Sequence, residues 1–527
     1  MSFPIGKVLP TIKNKHLRRT RIKVSVPRLI IAGLSGDSGK TIISLSILTA
    51  MRKMGLVCAP FKKGPDYIDA AWLGKAAGND CRNLDTYLTG RSNVQNSFVR
   101  HSMQSDIAII EGNRGIFDGK DLAGTHSTAE LAKLLQCPVV LVINCAKMTR
   151  TVAAMIQGCM TFDPAINVAG VILNRVAGER HRRIITDSIG EYCNLPVWGA
   201  LPKFSDRQPL IPNRHLGLIP PSEFAVGNDL GAALADIAVK YLDINSLLSA
   251  ARTAEPLPLI ASGSDLDAPS KVKIGYFSDP VFTFYYPENL EALRKHGADL
   301  IKISSLDDKS LPSVDALYIG GGFPETYAEH LAKNKSLLLA VKRFAEKGGP
   351  IYAECGGLIY LSRSLVWNEN RYPMADLFAA DLIMNARPAG HGYTQVKIDR
   401  PNPVFPVGSV IKGHEFHYSS VSAPEPLLSC MKMQSGTGLG NGRDGLVFKS
   451  TMACYTHIHA DGVDSWAPAM IRNAMKARAP RRDIKGSGKE VDKSRAPEKL
   501  RSKDRLPGKS KRPAGDKPQI RHSVYGK

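Results

Sequence analysis

The residues with the clearest chemical potential form a glycine-rich turn near the start of the chain. The turn runs Gly33-Leu34-Ser35-Gly36-Asp37-Ser38-Gly39-Lys40-Thr41, between an apolar run and a helical pattern. A turn that opens a helix directs backbone N–H groups and the positive end of the helix dipole at phosphate oxygens. Lys40 would neutralise the β- and γ-phosphates, and the Thr41 hydroxyl would ligate Mg²⁺. The turn therefore predicts a nucleotide site with Gly36 and Gly39 in its loop.

The turn departs from the strict spacing G-x-x-x-x-G-K-[ST], because Leu34 stands where the first glycine belongs. An ordinary helix cap is the alternative, but Gly39-Lys40-Thr41 between a strand and a helix favours nucleotide binding.

Glu111 ends another apolar run and is the candidate acid of a metal site. The loop that follows it, Gly112–Gly119, and the polar segment Phe61–Asp69 are predicted to bind ligands, because loops at the carboxyl ends of parallel strands do so.

Cys355 stands at a turn between a buried strand and a helix. The segment Pro350-Ile351-Tyr352-Ala353-Glu354-Cys355-Gly356-Gly357-Leu358 reads as that strand, the turn and the helix start. A helix N-terminus lowers the pKa of a thiol, and its backbone N–H groups can face a developing oxyanion. The other eight cysteines lack this context and are expected to be inert core residues. We therefore predict Cys355 as a nucleophile, with Gly356 in the oxyanion site.

A nucleophilic thiol needs a base, and four histidines follow downstream. They are His414, His417, His457 and His459. Alternate residues of Tyr455–His459 would share one face of a strand, so both histidines of that segment could point the same way. From the residues alone, each of these two histidines could equally well be structural or catalytic. Gly320–Gly322 follow another apolar run, and Gly321 and Gly322 offer further oxyanion donors; a hinge without a catalytic role is the alternative.

Two α/β units would position these residues. Short apolar runs alternate with helix-length segments over residues 29–245, which predicts a mostly parallel, P-loop-type sheet covered by helices. A second α/β unit runs over residues 271–475. Between them, residues 246–270 are rich in Ala, Ser, Pro and Asp, and we predict a linker there. The strand candidates are Leu29–Ala32, Ala108–Ile110, Val139–Ile143, Val168–Leu173, Val272–Phe277, Ala316–Ile319 and Pro350–Ala353.

The charge of the chain is concentrated at its ends. Of a formal net charge of +22, residues 1–28 carry +8 and residues 481–527 carry +10, which leaves +4 for residues 29–480. We predict a basic extension over 1–28, a basic disordered tail over 476–527 and no specific nucleic-acid partner. No apolar run is long enough to span a membrane. Nine cysteines without a C-x-x-C pair indicate a reduced, cytoplasmic protein.

Five motifs together resemble those of the cobyrinate a,c-diamide synthase family. They are Gly64-Pro65-Asp66-Tyr67-Ile68-Asp69, Asn83-Leu84-Asp85, Glu111-Gly112 with Phe117-Asp118-Gly119, Ala353-Glu354-Cys355-Gly356-Gly357 and Gly413-His414-Glu415-Phe416-His417-Tyr418-Ser419. That family joins a dethiobiotin-synthetase-like ATP domain to a class I glutamine amidotransferase domain. The resemblance covers residues 29–465 and implies an ATP- and tetrapyrrole-binding domain over 29–245 and an amidotransferase domain over 271–475. Glutamine, ATP and a tetrapyrrole carboxylate are the implied partners, and a homodimer is left open.

The resemblance also implies a division of labour. Cys355 would release ammonia from glutamine with His457 as the proton carrier. ATP would phosphorylate a substrate carboxylate, and ammonia would displace the phosphate. The implied ligands are Thr41, Asp66 and Glu111 for Mg²⁺, Lys40 and Lys62 for the transferring phosphoryl group, and Asn174 for adenine. Tyr67, Asp69 and Asp118 would position the macrocycle.

Two departures from the family pattern matter. The usual amidotransferase triad has a glutamate two residues beyond its histidine, and His459 stands there instead, so a Cys-His dyad is expected. Ala70-Ala71-Trp72 and His391-Gly392-Tyr393 differ from most corrinoid enzymes and resemble homologues associated with dissimilatory sulfite reductase, which are thought to amidate sirohaem. A simple P-loop ATPase or a dethiobiotin-type carboxylase would leave Cys355 unexplained, and a nucleic-acid-binding protein would explain only the tails.

Overall fold

The computed structural model describes residues 23–204, 210–214, 217–224, 230–258, 269 and 271–478. The basic extension up to residue 22, most of the predicted linker beyond residue 258 and the C-terminal tail from residue 479 lie outside the described residues. All the described residues belong to one compact unit. No helix in these segments is long and apolar enough to cross a membrane.

The first half of the described chain alternates strands with helices. Its elements are β1 (Lys23–Val24), β2 (Arg28–Gly33), α1 (Lys40–Lys53), β3 (Cys58–Lys63), α2 (Tyr67–Ala77), β4 (Arg82–Leu84), α3 (Arg91–Ser102), β5 (Ile107–Glu111), α4 (Thr128–Leu134), β6 (Val139–Asn144), α5 (Thr151–Phe162), β7 (Val168–Val176), α6 (Glu179–Cys193), β8 (Val197–Pro202), β9 (Asn213–Arg214), β10 (Gly217–Leu218), α7 (Leu230–Tyr241), α8 (Ile244–Ala251) and β11 (Leu257–Pro258).

Seven of these strands form a parallel sheet in the order β4-β3-β5-β2-β6-β7-β8. Every residue of β2 is buried, as its apolar sequence predicts for a central parallel strand. One apolar core lies on each face of the sheet. The carboxyl end of β2 lies between those of β5 and β6, at the centre of the sheet edge where open α/β folds bind ligands.

Helix α8 occupies part of the segment predicted as a linker. The Asp243 carboxylate caps it by accepting a hydrogen bond from the Ser246 backbone N–H at 3.0 Å. Leu247 and Ala251 are fully buried in the core that also holds α1. The helix has only eight residues, so its short apolar stripe was not recognised in an Ala- and Ser-rich sequence. The domain boundaries themselves stay predictions.

The second half carries a larger sheet. Its elements are β12 (Val272–Phe277), α9 (Pro287–Lys295), β13 (Ala298–Ile303), β14 (Ala316–Ile319), α10 (Ala328–Lys333), α11 (Lys335–Glu346), β15 (Ile351–Glu354), α12 (Gly356–Leu361), β16 (Ser362–Trp367), β17 (Asn370–Pro373), β18 (Phe378–Met384), β19 (Gly390–Ile398), β20 (Val410–His417), β21 (Ser419–Ser422), β22 (Ser429–Ser435), β23 (Arg443–Phe448), β24 (Thr451–Cys454) and α13 (Trp466–Arg478).

Nine strands pair in the order β13-β12-β14-β15-β24-β23-β22-β19-β20. The first five are mutually parallel, and the rest are antiparallel. A four-stranded sheet, β17-β16-β18-β21, adjoins them. The prediction of an α/β fold with a parallel sheet is therefore confirmed. One local difference is that β24 ends at Cys454, so the segment Tyr455–His459 is not a regular strand.

Candidate active site

The glycine-rich turn after β2 is held by its own backbone and by one distant side chain. Gly39 has φ +96°, a left-handed conformation that favours glycine. A Cβ there would lie 2.1 Å from the Asn174 side-chain nitrogen, so only glycine fits. Asn174, near the carboxyl end of β7, donates a hydrogen bond to the Ser38 carbonyl at 2.9 Å. Asn174 thus lies against the turn itself.

Lys40 is buried inside this turn. Its Nζ donates to the carbonyl oxygens of Ser35 and Arg114, each at 2.8 Å. Burial, followed by repulsion from Lys62, lowers the pKa of Lys40. The turn therefore surrounds a partly desolvated cation, which suits the binding of an anionic phosphate.

A buried ionic cluster lies beside the start of α1. Glu111 Oε1 accepts hydrogen bonds from Thr41 Oγ1 at 2.9 Å and from Lys62 Nζ at 2.7 Å. Lys62 Nζ also contacts Asp69 Oδ2 at 2.6 Å. Burial opposes the charge on Lys62, but the two carboxylates raise its pKa overall. The ends of β3 and β5 thus bring Lys62 and Glu111 beside Thr41 at the start of α1.

Asp66 adds a further carboxylate at the start of α2. It caps the helix by accepting from the Asp69 N–H at 2.7 Å. Burial and the neighbouring Asp69 raise the pKa of Asp66 to about 7. Glu111 Oε2 is buried without a hydrogen-bond partner among the described residues. The described residues hold no ready-made group of three metal-ligating acids, cysteines or histidines, but a hydroxyl and two carboxylates suit Mg²⁺ shared with phosphates.

The turn that carries Cys355 is sharply bent. Cys355 has φ +48° and ψ −97°, which is rare for a residue with a side chain and indicates local strain. It follows β15 directly and precedes α12, and its N–H donates to the Cys454 carbonyl at 2.7 Å. The side chain is 5% exposed. Burial, with the nearby Glu325 charge, raises the pKa of the thiol, which is opposite to the lowering expected from a helix N-terminus.

His457 lies next to the turn that follows β14. A Cβ on Gly321 would be 2.6 Å from His457 Cε1, and a Cβ on Gly356 would be 3.0 Å from the Gly322 nitrogen. Gly321 and Gly322 therefore lie between the histidine ring and the residue after Cys355. These two contacts place Gly321 beside the ring of His457 and Gly322 beside Gly356, the residue that follows Cys355.

The other downstream histidines have separate partners. His459 Nε2 is 3.6 Å from Glu288 Oε2, whereas His457 Nδ1 is 3.3 Å from Glu354 Oε2, so the two histidines face different carboxylates. His414 stacks on His457 at 5.0 Å between ring centroids.

A cavity of about 520 Å³ joins the two halves of the molecule. Its lining includes Asp66, Tyr67 and Asp118 from the first half and His457 from the second. The ring of Tyr67 is 5.4 Å from that of His457. Asp69, predicted to face the substrate, is not among the lining residues and is paired with Lys62 instead.

Sequence reasoning missed several residues of this cavity. They are Lys120, His126 and Phe284. Of the other lining residues, His414 was one of four candidate bases, Glu415 and Phe416 belong to a family motif, and Lys63, Asn113 and Arg114 were not named individually. Lys63 and Arg114 belong to loops that the sequence had marked as ligand-binding, so their position was a detectable signal. Of the two segments that depart from the family pattern, His391–Tyr393 lines the cavity. Trp72 is buried elsewhere and donates to the Ile219 carbonyl at 2.8 Å.

Comparison with known proteins agrees with both halves of the fold. The CobQ/CobB/MinD/ParA nucleotide binding domain matches residues 29–215. The CobB/CobQ-like glutamine amidotransferase domain matches residues 273–464. A nucleotide-binding domain joined to a glutamine amidotransferase domain defines the class: a glutamine-dependent amidotransferase ligase that uses ATP.

Full-length relatives define the family within that class. The cobyrinate a,c-diamide synthase of Magnetococcus marinus is 42% identical over 454 residues, which span 85% of this chain and 97% of the relative. Those of Archaeoglobus fulgidus and Methanosarcina acetivorans are 38% and 36% identical, over 86% and 87% of this chain and 99% and 97% of theirs. The chain belongs to the cobyrinate a,c-diamide synthase family, whose members amidate with glutamine in cobalamin biosynthesis.

Proposed function

We propose that the protein amidates the a- and c-carboxylate side chains of cobyrinate, with glutamine as nitrogen donor and ATP as activating co-substrate. The observation that carries this proposal is the cavity between the halves. Its walls include Asp66 and Asp118 from the half that carries the nucleotide turn and His457 from the half that carries Cys355. A carboxylate activated in the first half would then receive ammonia released in the second half. The ammonia would pass through the cavity and would not cross bulk water.

Glutamine hydrolysis would take place at Cys355. The thiol sulfur attacks the side-chain amide carbon, His457 takes the thiol proton and passes it to the departing nitrogen, and ammonia leaves a γ-glutamyl thioester. The N–H groups of Gly321, Gly322 and Gly356 would stabilise the oxyanion. Water then cleaves the thioester to glutamate and regenerates the thiol. Since burial raises the pKa of Cys355, the reaction needs a base close by.

Carboxylate activation would take place at the nucleotide turn. A substrate carboxylate oxygen attacks the γ-phosphorus of ATP, which gives an acyl phosphate and ADP. Ammonia then attacks the acyl carbon, and inorganic phosphate leaves as the amide forms. Activation is required because an oxygen leaving from a free carboxylate is a poor leaving group. Lys40 and Lys62 would stabilise the charge on the transferring phosphoryl group, with Asn174 at the adenine.

Thr41, Asp66 and Glu111 would hold Mg²⁺, which when bound neutralises phosphate charge. The contacts of Thr41 and Glu111 fit that role. Their side chains are hydrogen-bonded to each other, which holds them close together, and Glu111 Oε2 has no hydrogen-bond partner among the described residues. Lys62 would orient Glu111 through its 2.7 Å contact.

The substrate would bind in the shared cavity through its many carboxylates. Lys63, Arg114 and Lys120 are the cations that line it, and Tyr67 and Asp118 would position the macrocycle. Sirohaem is the second candidate substrate, because His391–Tyr393 line the cavity and depart from the corrinoid pattern.

A mass-resolved assay tests the substrate. Purified enzyme with ATP, Mg²⁺ and amide-labelled glutamine receives cobyrinate or sirohaem in parallel. We expect labelled amides on both the a- and c-carboxylates of cobyrinate. Amidation of sirohaem alone would overturn the corrinoid assignment, while amidation of neither would overturn the proposed function.

Replacement of the thiol tests the division of labour. Cys355→Ala should abolish glutamine-dependent synthesis and leave synthesis with high ammonium intact. Cys159→Ala, a matched change on α5, should affect neither. Equal loss with both nitrogen donors would contradict the role of Cys355.

A further inference from the structure

The amidotransferase half lacks an acid at the usual place in its sequence. His459 stands two residues after His457, and its Nε2 is 3.6 Å from Glu288 Oε2. The expectation from sequence was therefore a dyad of Cys355 and His457. The contacts around His457 indicate otherwise.

Glu354 is a buried carboxylate in contact with the proposed base. Its Oε2 is 3.3 Å from His457 Nδ1. The side chain is 0% exposed and that of His457 is 2% exposed, so water does not screen this pair. Parallel pairing of Glu354 with Cys454 across β15 and β24 brings the carboxylate beside the segment that carries the histidine.

The orientation of the carboxylate is fixed by three further donors. Oε1 accepts from the Ile458 N–H at 3.2 Å and from the Tyr352 hydroxyl at 3.1 Å. Oε2 also accepts from the Tyr318 hydroxyl at 3.3 Å. A buried carboxylate needs such donors to remain charged. Three of the four contacts come from outside His457, so the carboxylate is preorganised for the histidine.

We propose that Glu354, the residue immediately before the nucleophile, is the positioning residue of His457 and completes a Cys355–His457–Glu354 triad. This inference rests on the proposed function of Cys355 and His457. Glu354 accepts a hydrogen bond from Nδ1–H and so leaves Nε2 free as the base. The Nε2 edge lies toward the glycine turn, since a Cβ on Gly321 would be 3.3 Å from that atom.

The proton path is then complete. His457 Nε2 takes the thiol proton as sulfur attacks glutamine, and the Glu354 carboxylate stabilises the imidazolium. The same proton then moves to the amide nitrogen, which leaves as ammonia. Glu354 itself is not protonated in this cycle. Cys355, the next residue, has φ +48° and ψ −97°, so the backbone bends sharply between Glu354 at the end of β15 and the start of α12.

Glu354→Gln tests this proposal, because it keeps the size of the side chain and removes its charge. We expect the kcat for glutamine-dependent synthesis to fall by about 10²-fold or more, with ammonium-dependent synthesis within about twofold of the parent. Glu354→Asp should retain more glutamine-dependent activity than the Gln variant. The matched control is Glu288→Gln, which removes the charge from the neighbouring Glu–His pair and should leave both activities unchanged.

The pH profile of glutamine hydrolysis separates positioning from a merely structural role. Glu354 faces the hydroxyls of Tyr318 and Tyr352, and His457 faces the rings of His414 and Tyr67. In Glu354→Gln the imidazolium loses its only contacting carboxylate among the described residues. The acidic limb of the profile should therefore move to lower pH, whereas Glu288→Gln, which changes the carboxylate beside His459, should leave it in place.

Three outcomes would overturn the triad: normal glutamine-dependent kcat in Glu354→Gln, an unmoved acidic limb, or equal loss of both activities in the Gln and Asp variants. Ammonium-dependent synthesis measured on each preparation reports that the variant is folded. Cys355→Ala and His457→Ala are run beside them. If these retain glutamine-dependent synthesis, the proposed function fails; if they lose it while Glu354→Gln does not, only the triad fails.

Discussion

Gly321 has no side chain and therefore leaves room for the ring of His457. A methyl group there would lie 2.6 Å from His457 Cε1 and 3.2 Å from the Phe284 ring. Because a displacement of about 1 Å can cost about 10²-fold in rate, Gly321→Ala should lower glutamine-dependent synthesis by at least about tenfold and spare ammonium-dependent synthesis. Steady-state rates with each nitrogen donor check this. Gly158→Ala, at a helix position with open space, is the control; equal effects of the two variants would contradict the prediction.

Residue chemistry was only partly visible in the sequence. The strand-turn-helix context of Cys355 predicted a nucleophile, and Gly39-Lys40-Thr41 predicted a phosphate turn. The contact between His457 and Glu354 depends on the pairing of strands about a hundred positions apart, and no local pattern encodes that. The raised thiol pKa was missed for the same reason, since burial by the whole fold outweighs the effect of one short helix.

At the scale of elements, α8 depends on its cap. Asp243 accepts hydrogen bonds from the Ser246 N–H at 3.0 Å and from its hydroxyl at 2.7 Å. Asp243→Ala should lower the free energy of unfolding by about 1 kcal/mol, measured by chemical denaturation, without changing synthesis. Ser249→Ala on the same helix is the control and should be near neutral. Equal stability of Asp243→Ala and the parent would show that the cap contributes nothing.

The end of α3 gives a prediction about pH. Burial, followed by the charges of Arg82 and Arg100, lowers the pKa of His101 to about 3 from 6.5. Below pH 6.5 the imidazole of His101 is protonated in the unfolded chain but stays neutral in the folded chain until about pH 3. The folded state therefore loses stability as the pH falls from 6.5 toward 3. His101→Gln should make the free energy of unfolding fall less steeply over this range in denaturation curves. His330→Gln, at an exposed site, should not; parallel curves for both would refute the assignment.

Parallel strands were the elements that the sequence predicted best, because buried strands read as continuous apolar runs. The short helix α8 and the irregular segment Tyr455–His459 were not anticipated. In the second case, alternation suggested one shared face, but His457 faces Glu354 on β15 whereas His459 faces Glu288 on α9.

At the scale of the whole molecule, most of the net charge lies in tails that the proposed chemistry does not use. Residues 481–527 carry +10, and no residue placed in either reaction belongs to them. Deletion of 481–527 should leave glutamine-dependent synthesis within about twofold of the full chain. Parallel assays of both proteins at matched concentration decide this. Loss of synthesis in the shortened protein would indicate that the tail takes part in function.

Contacts between the halves were beyond prediction from one sequence. Tyr393 donates to Asp85 Oδ2 at 2.6 Å, and the Tyr87 hydroxyl donates to the Thr394 carbonyl at 3.0 Å. Both contacts join residues about three hundred positions apart, and only the assembled fold defines them. Asn83-Leu84-Asp85 was recognised as a motif, but its contact with the second half was not.

The mixed walls of the cavity constrain how such an enzyme can diversify. Because Arg114 and Lys120 come from one half and His391 and Tyr393 from the other, neither half alone encodes the shape that a macrocycle meets. In a chimaera that exchanges one half with that of a distant homologue, the two walls of the cavity would not match, even if each half folded and kept its own chemistry. A change of substrate preference in this architecture therefore requires changes in both halves.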